Sequence, residues 1–243
     1  MAVNDTTAAE QTVGVERAGR IRDFVRRNPT VVISSCILGV MILVAIFAPY
    51  LATDPLELAP WQRLKPPGEF GWFGTDHLGR DVFSRTIYGA RISLSVGLFV
   101  AVVSTGAGLF IGLLAGYVRI VDAVVMRIMD GLMAIPGILF AIALMALVGS
   151  SVQNVIIAIS VPEIPRVVRL VRAIVLTIRE MPYVEAAVAS GTRLPQILIR
   201  HILPNTFAPL MVQATYICAS AVIVEAYLSF LGAGTPPEVP SWG

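Results

Sequence analysis

Long apolar runs separated by polar stretches dominate the pattern of this chain. A helix needs about 20 predominantly apolar residues to cross a bilayer. Pro136 interrupts the third of these runs, and Pro162 and Glu163 make the fourth a poorer candidate. The pattern predicts an all-α bundle of five transmembrane spans, at about 31–51, 92–117, 131–148, 152–168 and 207–231.

The composition supports membrane integration and excludes several classes of protein. The chain has 243 residues, of which 56% are hydrophobic and 14% are charged, whereas soluble domains carry about a quarter of charged residues. A net charge of +2 indicates no nucleic-acid partner. Cys36 and Cys218 lie in apolar runs and indicate no disulfide framework. The polar start and long first apolar run argue against a cleavable signal peptide.

The basic residues predict which loops face the cytoplasm, because positive charge collects on that side. Thirteen of the 18 lie before the first run, between runs two and three, or from the end of run four to the start of run five: Arg17, Arg20, Arg22, Arg26, Arg27, Arg119, Arg127, Arg166, Arg169, Arg172, Arg179, Arg193 and Arg200. The other five share residues 52–91 with acids. We therefore predict a cytoplasmic N-terminal segment 1–30, an outer loop 52–91 and a cytoplasmic loop at about 169–206. Residues 84–91 are predicted as an amphipathic lead-in to the second span.

Catalytic and metal-binding motifs are missing from the sequence. Lys65, the only lysine, precedes Pro66, so there is no Gly-rich turn ending in Lys-Ser/Thr to hold phosphates. His77 and His201 lie on opposite sides of the membrane in this topology and cannot share a metal ion. The neighbouring pair Asp76 and His77 is a weak ligand set, and ordinary hydrogen bonding explains it better. The sequence predicts a non-enzymatic membrane protein without a metal site.

The cytoplasmic loop contains a helical pattern with interruptions from about 173 to 199. Four small residues fall on one face: Val184, Ala187, Val188 and Gly191. A short helix is marginal in water without a packing partner, so we favour a docking face for another protein over a simple linker. Gly191 allows a sharp bend. Pro195 is expected to start a second helical turn, and Pro204 to end it.

The same loop carries a family motif. Glu185-Ala186-Ala187, then Gly191 and Leu203-Pro204, resembles the EAA loop of ABC-transporter permeases. His201 stands where isoleucine is usual, as is common in the branch that imports di- and oligopeptides. Stretches similar to that branch occur at residues 27–29, 48–49, 74–81, 228–232 and 240–243.

The resemblance implies a fold of the type I ABC importer kind and a multi-pass subunit of the bacterial inner membrane. It implies one of two different permease subunits, similar to the C subunit of peptide importers. Two partner ATPases would bind ATP and Mg, with no cofactor in this chain, and an extracytoplasmic binding protein would deliver substrate. The implied coupling residues are Glu185, Ala186, Ala187, Gly191, Arg193, His201, Leu203 and Pro204. A sixth span is usual after the stretch at 240–243, and the resemblance therefore predicts that this sequence is a fragment or an incomplete form of the protein.

Substrate and rival functions stay open. Systems of this kind carry dipeptides, longer peptides, glutathione, nickel complexes, opines or sugars. A stand-alone secondary transporter or channel is the alternative function, and a membrane scaffold is a third.

Two acids in the apolar runs are candidates for the transport pathway. Glu163 could line the pathway, or it could pair with Arg166 where Pro162 breaks the helix. Glu225 should face the bundle interior, unless it lies at the wet edge of the membrane. Arg127 and Asp130, three residues apart, are predicted to pair.

Overall fold

A computed structural model describes residues 25–68 and 71–243, and the chain divides into two units, residues 1–47 and 48–243. The first unit holds most of helix α1, Pro29–Leu51. Helix α1 has no acidic residue in its first turn and no basic residue in its last. Most of the N-terminal segment predicted for 1–30, with Arg17, Arg20 and Arg22, lies outside the described residues.

The second unit is built from helices. They are α2 Val82–Tyr117, α3 Arg119–Met133, α4 Gly137–Val148, α5 Val152–Ile178, α6 Pro182–Ala189, α7 Leu194–Ile197 and α8 Leu203–Phe230, with a 3₁₀ turn at Pro60–Gln62 and a π-helical turn at Leu198–Ile202. Within the described residues, extended pairing is limited to two isolated bridges, Gly68–Gly71 and Thr75–Asp81. The all-α prediction is confirmed.

Three helical segments among the described residues are long and apolar enough to cross a membrane: Pro29–Leu51, Val82–Tyr117 and the continuous run Leu194–Phe230. A fourth candidate is the pair α3 and α4, which meet at an angle of 85°. Pro136 is the N-cap of α4 at this bend, which agrees with the interruption predicted in the third run. The structure therefore supports three or four spans, and the count of five stays a prediction.

Helix α5 corrects the interpretation of Pro162. The helix continues through both Pro162 and Pro165 to Ile178, so neither proline breaks it. Residues 169–178, predicted as loop, are its last turns. The acid and the arginines within α5 explain why it does not count as a span by composition, although residues 152–168 are fully helical.

Helix α2 begins at Val82, within the range 52–91 predicted as the outer loop. Asp81 is its N-cap, and its carboxylate accepts hydrogen bonds from the backbone N–H groups of Phe83 and Ser84. The loop therefore ends at residue 81. The predicted lead-in at 84–91 is helical and continuous with the second span.

The core of the second unit is the packing of α2 against α5. Three α2 glycines at four-residue spacing face three α5 valines at the same spacing: Gly108 and Val167, Gly112 and Val171, Gly116 and Val175. A Cβ atom on any of these glycines would come within 3.0 Å of the facing valine side chain. Hydrogen in place of a side chain is what lets these two helices approach so closely.

This packing predicts a sharp difference between two glycines of the same helix. Gly112→Leu should lower the free energy of unfolding by roughly 1–3 kcal/mol, because the new side chain meets Val171 and overpacks the core. Gly106→Leu is the matched control, since a Cβ at Gly106 has nothing within 4 Å. Thermal unfolding of the purified protein in detergent measures both. Equal effects of the two variants would contradict the packing argument.

Candidate functional site

The segment between α5 and α8 contains most of the predicted coupling residues, and Leu203 and Pro204 are the first two residues of α8. Pro182 occupies the first turn of α6, where the missing N–H costs nothing. Helix α6 therefore begins three residues before Glu185, which lies in its first turn. Pro195 lies in the first turn of α7, as predicted.

Gly191 forms the predicted bend. Its φ of +77° is left-handed. Its N–H donates to the carbonyl oxygen of Val188 at 2.9 Å, and the N–H of Thr192 donates to that of Ala187 at 3.1 Å. These two bonds form a Schellman motif, which satisfies carbonyl groups at the end of α6 and turns the chain.

Pro204 does not end the short helix, contrary to prediction. Helical backbone runs without a break from α7 through the π-helical turn Leu198–Ile202 into α8. In a regular α-helix, the ring of Pro204 would clash with the carbonyl group of Arg200. The wider π turn lies directly before Leu203 and Pro204, so the helix absorbs the proline without ending. The short helix is thus an extension of the last apolar helix.

The predicted docking face is divided between the protein's interior and its surface. Val184 is buried in the chain's own core, so it is not available to a partner. Val188 is 50% exposed, and Glu185, Ala186 and Arg193 are exposed as well. The exposed surface of α6 and α7 therefore includes Val188 but not Val184, although both belong to the predicted face.

The segment is attached to the bundle by apolar and polar contacts. Ile197, Leu198 and Ile202 are buried in the same core as Val184. The rings of Tyr183 and His201 lie 6.2 Å apart between centroids. The Asn205 side-chain amide donates to the Tyr183 hydroxyl at 3.3 Å and to the backbone carbonyl of His201 at 2.8 Å. These contacts join α6 to the start of α8.

Ion pairs connect α5 to its neighbours. Arg169 donates to Asp130 at 2.6 Å, and the terminal Nη2 of Arg172 donates to Asp122 at 2.7 Å. Asp130 therefore pairs across to α5, and the predicted pair with Arg127 is wrong. Because these acids lie on α3, the two bridges hold α3 against α5.

Glu163 pairs with Arg166 at 3.1 Å on the same helix, as the second interpretation proposed, although without a helix break. Glu225 is fully buried, which excludes the wet membrane edge and agrees with an interior position. Its carboxylate accepts hydrogen bonds from Ser93 at 3.2 Å and Ser229 at 2.9 Å. A pathway role for either acid stays a prediction.

The loop before α2 is organised around Asp76. Burial alone would raise the pKa of Asp76, but hydrogen bonds from the backbone and side chain of Arg80 and from the Leu78 N–H hold the pKa below its ordinary value. Arg80 is also buried and donates to the carbonyl oxygen of Pro237 at 3.2 Å. Asp76 is thus committed to its arginine, and no cluster of three metal-ligating side chains occurs in the described ranges.

Comparison with known proteins decides the family. Residues 108–243 match the model of the family described as binding-protein-dependent transport system inner membrane component. The chain belongs to this permease family. Residues 20–67 of the permease also match the N-terminal TM domain of oligopeptide transport permease C. The resemblance to ABC-transporter permeases of the oligopeptide branch is confirmed.

The sequences of individual relatives align with most of the length of the permease. It is 56% identical over 218 residues to the probable peptide ABC transporter permease protein y4tQ of Sinorhizobium fredii, covering 90% of this chain and 75% of that one. It is 43% identical over 220 residues to the dipeptide transport system permease protein of Alkalihalophilus pseudofirmus, covering 90% and 72%. A glutathione transport system permease protein of Pectobacterium atrosepticum is 40% identical over 225 residues, covering 91% and 74%. Several apolar helices and this family together make the permease a multi-pass inner-membrane protein.

The bend at Gly191 generates a prediction about local stability. Gly191→Ala should destabilise the bend by about 1–2 kcal/mol, because a Cβ disfavours the left-handed backbone conformation. Amide hydrogen exchange of residues 182–192 should therefore speed up by roughly fivefold to thirtyfold. Gly131→Ala adds the same methyl group where nothing lies within 4 Å and no positive φ is required. Unchanged exchange in Gly191→Ala would disprove the strain argument.

The Asp76 carboxylate generates a prediction about acid stability. A pKa held below the ordinary value of 3.8 stabilises the folded loop above that pH, and the contribution is lost as pH falls through the folded pKa. Hydrogen exchange of residues 74–81, corrected for the intrinsic rate, should accelerate in that acidic window. Asp76→Asn should remove the pH dependence and accelerate exchange at neutral pH. A variant with the wild-type pH profile would contradict this assignment.

Proposed function

We propose that this chain is a permease subunit of an ATP-driven importer and couples to separate ATPases through α6 and α7. It pairs with a second, different permease subunit, and an extracytoplasmic binding protein delivers the substrate. The partner ATPases bind ATP and Mg and hydrolyse the nucleotide. The N-terminus and the coupling loop face the cytoplasm, in line with the basic residues.

The observation that carries this proposal is the way α7 continues into α8. A partner that pushes on the exposed surface of α6 and α7 acts on a continuous helical run of 37 residues, Leu194–Phe230. The buried residues Val184 and Ile197 hold the segment to the core on its other side. Movement of an ATPase can therefore pass to the membrane helices as a rigid displacement.

We propose peptides or small peptide-like solutes as the substrate class. The support is the match of residues 20–67 and the peptide, dipeptide and glutathione systems named for the relatives. Glu163 and Glu225 remain candidates for contact with the solute. The separate binding protein is expected to set much of the selectivity.

Co-purification of the ATPase with the tagged permease tests the coupling surface. Ala186→Arg places a bulky charge on the exposed side of α6 and should lower ATPase recovery about tenfold, equivalent to about 1.4 kcal/mol. Gln153→Arg is the matched control, because Gln153 is exposed at the opposite end of α5. Thermal unfolding should be the same for both variants.

Two results would count against the proposal. Equal ATPase recovery with both variants would mean that α6 is not the contact. Substrate uptake by the permease alone, driven by an ion gradient without ATP, would favour the stand-alone transporter instead.

A further inference from the structure

Glu225 is a fully buried carboxylate whose partners, among the described residues, are hydroxyl groups rather than cations. Burying a carboxylate without a positive charge is costly unless hydrogen bonds compensate it. One oxygen accepts from Ser93 on α2, and the other accepts from Ser229, one turn further along α8. The carboxylate therefore joins two helices.

Both serine hydroxyls also accept a hydrogen bond from the same stretch of backbone. The segment at 231–243, here termed the return segment, follows α8. The N–H of Trp242 donates to the Ser93 hydroxyl at 3.2 Å, and the N–H of Thr235 donates to the Ser229 hydroxyl at 3.4 Å. A serine hydroxyl has one proton to donate and lone pairs to accept. Each serine thus accepts from the return segment and donates to Glu225.

Two glycines leave the space in which these two chains of hydrogen bonds form. A Cβ on Gly89, one turn before Ser93, would come within 3.1 Å of Ser241 and of Trp242. A Cβ on Gly234 would overlap Ser229. Small residues therefore leave the space that the return segment occupies.

The return segment is also held to the start of α2 by contacts outside these chains. The indole N–H of Trp242 donates to the carbonyl oxygen of Thr86 at 3.0 Å. Arg80, just before α2, donates to Pro237. The return segment is thus held at several points. At two of them, the serine that binds the segment also donates to Glu225.

We propose that Glu225 is a positioning residue whose buried carboxylate holds the return segment against α2 and α8. Through Ser93 and Ser229, it sets the place of that segment at the end of the bundle where α2 begins. The role does not depend on the ATPase contact proposed above, since α6 and α7 make none of these bonds. It differs from a pathway role, in which the carboxylate would meet the solute.

Protection of a buried cysteine measures the position of the return segment. Pro240 is buried, so Pro240→Cys, in a chain with Cys36→Ser and Cys218→Ala, serves as a reporter for a water-soluble maleimide. The full transporter complex in nanodiscs is used. Glu225→Ala should raise the labelling rate about tenfold, because both chains of hydrogen bonds lose their common acceptor. Glu225→Gln should raise it less, because the amide oxygen still accepts from one serine.

Two serine variants separate this role from a general loss of folding. Ser93→Ala breaks only the chain to Trp242 and should also raise the labelling rate. Ser160→Ala is the matched control, because Ser160 is equally buried and its hydroxyl has no hydrogen-bond partner in the described part of the chain. Its labelling rate should equal that of the reporter chain.

The outcomes are distinct. Faster labelling in Glu225→Ala and Ser93→Ala, with Ser160→Ala unchanged, supports the proposal. Unchanged labelling in Glu225→Ala, whether or not substrate uptake is lost, overturns it, and lost uptake would then indicate a pathway role. If Glu225→Ala does not assemble, Ser93→Ala decides the question alone: unchanged labelling in that variant overturns the proposal.

Discussion

The close approach of α2 and α5 is the contact on which the rest of the second unit depends. Each glycine at 108, 112 and 116 leaves room for one valine at 167, 171 and 175, so the two helices have a single register. Lipid provides no hydrophobic driving force for helix association, so helix pairs in a membrane depend on close packing of this kind. A shift of α5 by one turn would move its arginines away from the acids of α3 and would move the start of the connection to α6.

The polar contacts of α5 depend on that register. Arg169 and Arg172 reach acids on α3, and Arg179 donates to the carbonyl oxygen of Gly116 on α2 at 3.3 Å. These bonds hold three helices together just before α6 begins. The end of α5 is therefore a firm support for α6, as the proposed coupling to an ATPase requires.

The two ends of the bundle use different chemistry for their attachments. At one end, apolar residues such as Val184 and Ile202 anchor residues 182–202 to the core. At the other, the return segment is held by hydroxyl, amide and carboxylate groups around Glu225. Helix α8 runs between the two ends and belongs to both. A rigid α8 would thus relate the position of one attachment to that of the other.

Local chemistry alone determined much of this protein. Composition and apolar length revealed a membrane bundle, and Gly191 predicted a bend, because these depend on residues close together in sequence. Tertiary structure decided the rest. Asp130 pairs with Arg169, 39 residues away, instead of Arg127, and Glu225 accepts a hydrogen bond from Ser93, 132 residues away. Val184 turned inward, and a π-helical turn let the helix pass Pro204. Such outcomes depend on how distant helices pack, which no local pattern specifies.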